Sequence, residues 1–360
     1  MRIMPTKEPV TLSDRACDPS AQGWYKTFTP TTWRPLAPLV AFMVIFYALV
    51  RSLLFLAGLP FCWIPYGELQ IAGTILVVCV ILGPLGLLGL RIVRDMTLQI
   101  CGGIPPALKH RVADLPSLMR DTFMLAFIYL LVLIPYVNLK PAIPLLNPIE
   151  YDTLFESFES ALFGGVLPTQ WLMAHSSTWM LACWDGIYNL LSLFMFVSLT
   201  IALYFDGIRG GARLVLAYSI GLFLDVFFTL LFPTFGPLFV HPEWFGDLAN
   251  LPSGELSQFL ALTVHQYAQA PGHVYACAGI SAMPSYHVYG WICGFLYWRH
   301  LPRKIFLAGL VLTMLNWLST IVLGWHYALD GLAGILLALA VSWLVARIIP
   351  QQHETITEQW

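Results

Sequence analysis

The chain has 360 residues, 58% of them hydrophobic and only 11% charged, against about 25% charged in a soluble domain. A net charge of −2, with no basic stretch interleaved with aromatics, gives no sign of a nucleic-acid partner. The composition is that of an all-α polytopic membrane protein. Seven cysteines, odd in number and without CxxC spacing, argue against a disulfide framework and offer no metal-type ligand spacing.

Residues 1–35 are polar, with Arg2, Lys7, Arg15, Lys26 and Arg34 and no separate apolar core, so they read as a cytoplasmic tail. Eight apolar stretches follow, at 36–57, 69–90, 121–137, 183–205, 212–232, 286–299, 304–323 and 328–347. A crossing of the ~30 Å hydrocarbon core takes ~20 residues, so the sixth stretch is short. Between the third and fourth spans, Tyr151, Leu154, Phe155, Phe158, Leu162 and Phe163 recur at helical spacing, with Glu156 and Glu159 opposite. That pattern predicts an amphipathic helix lying in the outer membrane interface. Residues 233–284, rich in Pro, Gly and His (His241, His265, His273) and free of Lys and Arg, are too long for a plain connector. They read as a lid or substrate-shaping loop. The expected boundaries are a tail at 1–35, two added helices and a basic loop at 36–120, a catalytic membrane domain at 121–347 and a tail at 348–360.

The 18 Lys and Arg residues fix an orientation. Five lie in the N-terminal tail. Arg91, Arg94, Lys109, Arg111 and Arg120 follow the second span, Arg209 and Arg213 the fourth, Arg299, Arg303 and Lys304 the sixth, and Arg347 ends the eighth. The alternate loops hold only Lys140, and Arg51 lies inside the first span. Both ends are therefore expected in the cytoplasm.

This topology gives meaning to two short strings. Pro284-Ser285-Tyr286-His287 opens the sixth span, and His326-Tyr327-Ala328-Leu329-Asp330 opens the eighth. Both fall at the outer membrane face, at one depth. Asp330 stands one helical turn from His326, on the same face, and carboxylates within spans are rare and usually functional. The expectation is that Asp330 hydrogen-bonds His326 and leaves its other ring nitrogen free as nucleophile or base. Proline suits the first turn of a helix, and Ser285 with the amides there forms an anion site. His287 would be the acid. Arg51 and Asp225 are expected to pair with each other or with the site, and Asp185 to lie at a surface.

At these residues the chain resembles the type 2 phosphatidic acid phosphatase superfamily, which shares its core with vanadium haloperoxidases. That family carries three motifs: KxxxxxxRP, PSGH and SRxxxxxHxxxD. The second reads Pro284-Ser285-Tyr286-His287 here. The third reads Ser319-Thr320, five residues, His326, three residues, Asp330, with threonine where the family has arginine. Where the first should stand, Phe232-Pro233-Thr234-Phe235-Gly236-Pro237 has neither Lys nor Arg. No Lys or Arg occurs between Arg213 and Arg299, a poor setting for a dianion. Loss of those basic residues, the Gly279–Ser285 context and the Gly324–Tyr327 turn are similar to bacterial proteins of the inositol phosphorylceramide synthase-like group.

The resemblance implies a six-helix catalytic core behind two added helices. It implies a lipid phosphotransferase without cofactor or metal, at the outer face of a bacterial cytoplasmic membrane. His326 would attack phosphorus, Asp330 would orient it and His287 would serve as acid and base. Ser285, Ser319, Thr320 and Arg51 would bind substrate. The partners implied are a phospholipid donor and a lipid alcohol or sugar acceptor. Three alternatives remain open: a lipid phosphate phosphatase with water as acceptor, a lipid or polyprenyl-phosphate transporter, and a zinc site built from His287, His326, Asp330 and a loop histidine. No inverted repeat or pair of broken helices supports the transporter.

Overall fold

The computed structural model describes residues 34–63, 115–271 and 279–350. The expected second span, the basic residues from Arg91 to Arg111, His273 and most of both tails lie outside them. Every regular element among the described residues is a helix. Five helical stretches are long and apolar enough to cross a membrane: Arg34–Leu56, Pro116–Leu146, Thr178–Leu231, Arg303–Val322 and Ala328–Ile348. The chain is a multi-pass, all-α membrane protein.

The elements in order are α1 (Ala37–Leu56), α2 (Leu115–Leu139), α3 (Asp152–Leu162), α4 (Pro168–Ala174), α5 (Thr178–Asn189) and α6 (Leu191–Leu231). After them come α7 (Pro252–Gln269), α8 (Tyr286–Phe295), α9 (Arg303–Val322) and α10 (Ala328–Ile348). The α10 sequence shows how a membrane helix sorts its faces. Leu332, Leu336, Leu339 and Trp343, spaced four, three and four apart, are all exposed. Gly331, Gly334, Ala338 and Val341 on the other side are buried. Lipid accepts the large apolar stripe, and small residues let neighbouring backbones approach.

α6 holds the expected fourth and fifth spans in one element. Gly207, at φ 60° and ψ −156°, breaks the helical path. The Tyr218 hydroxyl then donates to the Met195 carbonyl, 23 residues back, at 3.5 Å. In a straight helix these groups would sit ~34 Å apart, so the two arms fold back on each other. No loop separates them, and Arg213, expected in one, is instead buried in the second arm.

α8 has ten residues, followed by a five-residue 3-10 turn, Leu296–His300. It is short for a crossing, as its sequence suggested. Val288 to Phe295 are all buried, and α8 packs against α6, α9 and α10. Trp291 is wholly buried, its ring centroid 3.7 Å from that of Phe194. A helix walled by protein on its flanks need not match the bilayer thickness.

One expectation changes. The presumed 233–284 loop contains an 18-residue helix, α7. The amphipathic helix α3 is present, with its apolar face outward and its acids against the protein. Leu154, Phe158, Leu162 and Phe163 are exposed, whereas Asp152 and Glu159 are buried. In a membrane the outward apolar face meets lipid, so the acids turn toward the protein.

Candidate active site

The site forms where α8 and α10 begin. Ser285 caps α8, its hydroxyl accepting the Val288 N–H at 3.4 Å. Pro284 lies before the cap, after a cis peptide bond, not within the first turn. The Ser285 N–H donates to the Asp330 carbonyl at 3.0 Å, tying the two helix starts together. Gly334 permits that approach: a Cβ there would stand 2.7 Å from the Ser285 carbonyl oxygen.

His326 enters from the turn after α9, its N–H donating to the Thr320 carbonyl at 3.2 Å. Its side chain is almost fully buried, and Nδ1 lies 2.7 Å from the Ala282 carbonyl oxygen. A carbonyl only accepts, so Nδ1 carries the proton and Nε2 keeps the lone pair. Asp330 Oδ2 is 3.8 Å from Nδ1, beyond hydrogen-bond length, and accepts the Tyr327 N–H at 2.8 Å. The expected Asp330–imidazole hydrogen bond is thus replaced by a backbone carbonyl. Asp330, with no exposed surface, is an electrostatic neighbour and a helix cap.

His287 stands second in α8. Its ring stacks on Tyr188, centroids 4.1 Å apart, and Tyr188 stacks in turn on Trp325 at 5.5 Å. The centroids of His287 and His326 are 6.1 Å apart with planes tilted 54°. The two strings, 39 residues apart in sequence, converge on one place. Both rings can touch a single phosphoryl group.

A layer of acids from α3 closes over this junction. Asp152 accepts from the Phe235 N–H at 2.9 Å, the Gly236 N–H at 2.9 Å and the Tyr327 hydroxyl at 3.0 Å. Glu156 accepts from the same hydroxyl at 3.2 Å and meets His241 Nε2 at 2.8 Å. Glu159 accepts from the Ala328 N–H and, at 3.3 Å, from the Leu329 N–H. Glu159 therefore sits on the N-terminus of α10, where the helix dipole favours negative charge. Burial nevertheless dominates and pushes its carboxyl up to about 7, against those two hydrogen bonds. Sequence reasoning missed Asp152, Glu156, Glu159, Tyr188, Tyr327 and Ala282 as parts of the site. The acids' shared helix face is visible in the sequence, but the partner it docks on is not.

The segment standing in place of the family's first motif is a junction. Gly236 adopts φ +88°, and a Cβ there would lie 2.6 Å from the Trp325 carbonyl oxygen. The Thr234 carbonyl accepts the Ala282 N–H at 2.9 Å, and its hydroxyl accepts the Met283 N–H at 3.0 Å. Phe232 to Pro237 thus positions the carbonyl that holds His326.

The remaining expected site residues fall elsewhere. Ser319 and Thr320 are wholly buried and donate to the carbonyls of Asn316 and Trp317 at 2.6 and 2.7 Å, which leaves their hydroxyls no opening to a substrate. Ser285 is likewise wholly buried and serves as a cap. Arg51 is exposed on α1, its guanidinium 5.1 Å from the Trp63 ring centroid. Asp225 pairs not with Arg51 but with Lys140, at 3.6 Å, and accepts the Tyr136 hydroxyl at 2.8 Å. The Ser281 hydroxyl also reaches Asp225, at 3.3 Å, so this pair adjoins the strand of chain leading to Ala282. Asp185 is buried rather than superficial and accepts the Ser253 N–H at 3.0 Å. Among the described residues no group of three or more His, Cys, Asp and Glu side chains is arranged to hold a metal ion.

Comparison with curated proteins and with solved structures returned no match. A family model did match. It covers residues 154–344, just over half of the chain, and takes in α8, α9, the His326 turn and most of α3 and α10. The family is one of phosphatase- and phosphotransferase-type lipid phosphate enzymes. Its match covers both histidine strings and the acids Glu156 and Glu159. On that match the chain belongs to the PAP2 superfamily.

Proposed function

We propose that the chain is a lipid phosphotransferase that moves a phospho-headgroup from a phosphodiester lipid to a lipid alcohol or sugar, with the histidine end facing out of the cytoplasm. The carrying observation is the hydrogen bond from His326 Nδ1 to Ala282, which leaves Nε2 free 6.1 Å, ring to ring, from His287. Nε2 attacks phosphorus, a P–N bond forms and the P–O bond to the donor's glyceride oxygen breaks. His287, protonated in the complex with the anionic donor, gives that oxygen its proton and is left neutral. The neutral His287 then takes a proton from the acceptor hydroxyl, whose oxygen displaces His326. Positioned charges rather than new covalent chemistry supply most of the rate in such transfers.

The donor class follows from the surrounding charge. Among the described residues the cation adjoining the site is Lys140, and it is engaged by Asp225. Asp152, Glu156, Glu159 and Asp330 all bear on the same junction. A phosphomonoester dianion would be desolvated here without matching cations, a costly state, whereas a diester brings one charge. The test is a competition assay in reconstituted membranes, with a phosphodiester lipid and a phosphatidic-acid-type monoester at equal mole fraction. Faster loss of the diester with a new lipid product is expected. Faster loss of the monoester, releasing inorganic phosphate and no transfer product, would make the chain a phosphatase.

A further inference from the structure

At the end of the bundle away from the histidines, the second arm of α6, α8 with its 3-10 turn, and α10 enclose a cavity of about 230 Å³. Arg213, Cys293, Tyr297, Arg299, Ser342 and Val345 are among its lining residues, and the rest are apolar. Nine residues of α8 and its turn separate His287 from Leu296, and fifteen of α10 separate Asp330 from Val345. At 1.5 Å per residue the cavity lies roughly 14–22 Å from the site, so it is a separate place.

Arg213 is the reason to assign it a ligand. The side chain is only 6% exposed. Its Nε donates to the Ile349 carbonyl at 2.5 Å, while Nη2 is buried with no hydrogen-bond partner among the described residues. Arginine stays protonated in proteins, and a buried cation without a counter-charge is unfavourable. Arg299, on the same cavity, is exposed and among the described residues bonds to the Leu296 carbonyl, at 3.2 Å. Asp206, at the corner of α6, forms no ion pair with either arginine among the described residues. An independent feature sets the depth. Beside the cavity on α10, the Arg347 guanidinium lies 4.7 Å from the centroid of the Trp343 ring, and Trp343 is exposed. Tryptophan with a basic partner at a helix end marks the level of lipid headgroups.

We propose that this cavity binds the phosphate group of an anionic phospholipid from the leaflet opposite the catalytic one. Arg213 supplies charge from the cavity wall and Arg299 supplies it at the mouth. The pairing suits arginine, which recognises phosphate by directed donors rather than as a point charge. The cavity is below the ~300–1,000 Å³ of a drug-sized pocket, a size that admits a headgroup and leaves the acyl chains outside.

The experiment uses the purified full-length chain and native mass spectrometry, titrating short-chain phosphatidylglycerol, short-chain phosphatidylcholine and inorganic phosphate. Wild type is expected to hold one phosphatidylglycerol that survives competition by equimolar inorganic phosphate. Arg213→Gln should weaken that binding about tenfold or more, the effect of losing a charge-assisted hydrogen bond. Ala346→Phe, which fills the cavity and leaves every charge in place, should weaken it as well and keeps the test open if Arg213→Gln fails to fold. Unchanged phosphatidylglycerol binding in both folded variants overturns the proposal. Equal retention of phosphatidylcholine, or displacement by inorganic phosphate, also overturns it, the latter in favour of a free-ion site.

Discussion

The proton on His326 is held by the Ala282 carbonyl, and this decides what each nearby substitution should do. His326→Ala removes the proposed nucleophile and should abolish turnover. His287→Ala removes the proposed acid, and loss of such a group slows reactions ~10²–10⁴-fold. Both variants should fold, since among the described residues neither ring has a buried hydrogen-bond partner other than that one carbonyl. Wild-type rates from either would end the two-histidine mechanism. Asp330→Asn should be milder than both, because the tautomer does not depend on it. Steady-state kcat for the three variants checks the order, and an Asp330→Asn enzyme as inactive as His326→Ala would show that the carboxylate does more than the geometry gives it. Activity is also expected to survive strong chelation. Loss on EDTA treatment with recovery on one divalent ion would favour a metal reading instead.

At the scale of elements, α3 is the piece whose role the sequence pattern concealed. Its acidic face is docked on the start of α10 and the turn at Phe235, and Tyr327 donates to two of its carboxylates. Glu159 makes that docking depend on pH. Its folded value of about 7 lies above the ordinary 4.5, so the folded state holds the proton more tightly than the unfolded chain does. The stabilisation is fully present below about 4.5 and is lost as pH rises through about 7. Hydrogen exchange at Ala328 and Leu329, corrected for intrinsic rates, should show protection falling across that window. Glu159→Gln should flatten the dependence, and its persistence in that variant would assign it to another group. Tyr327→Phe removes a buried donor from Asp152 and Glu156, a change that costs ~1.5–3 kcal/mol for a charge-assisted bond. A shift in the unfolding midpoint measures it.

For the whole molecule, the orientation proposed from the Lys and Arg distribution has a direct test. A cysteine introduced near Pro271 should react with a membrane-impermeant reagent in intact cells, and one near Arg303 should not. The reverse pattern would turn the protein over and put the histidines in the cytoplasm. The fold makes these two positions a fair comparison, since Pro271 precedes α8 on the histidine side and Arg303 begins α9 after α8 has ended.

The sequence by itself determined the class and the chemistry-bearing strings. Apolar runs long enough for a bilayer admit few structures besides helices, because backbone groups have no water to bond in lipid. Span parity predicted His287 and His326 at one face, and the packing of α8 against α10 is what brings their rings to 6.1 Å. What only the tertiary structure decided were matters of partner and facing. A hydrophobic period says that α3 has two faces and not which one meets protein, and in lipid the usual answer inverts. A hydrogen-bond acceptor drawn from backbone, such as the Ala282 carbonyl, leaves no mark in residue type. Neither does the choice of Lys140 over Arg51 as the partner of Asp225, since all three are simply charges in apolar surroundings until the helices pack.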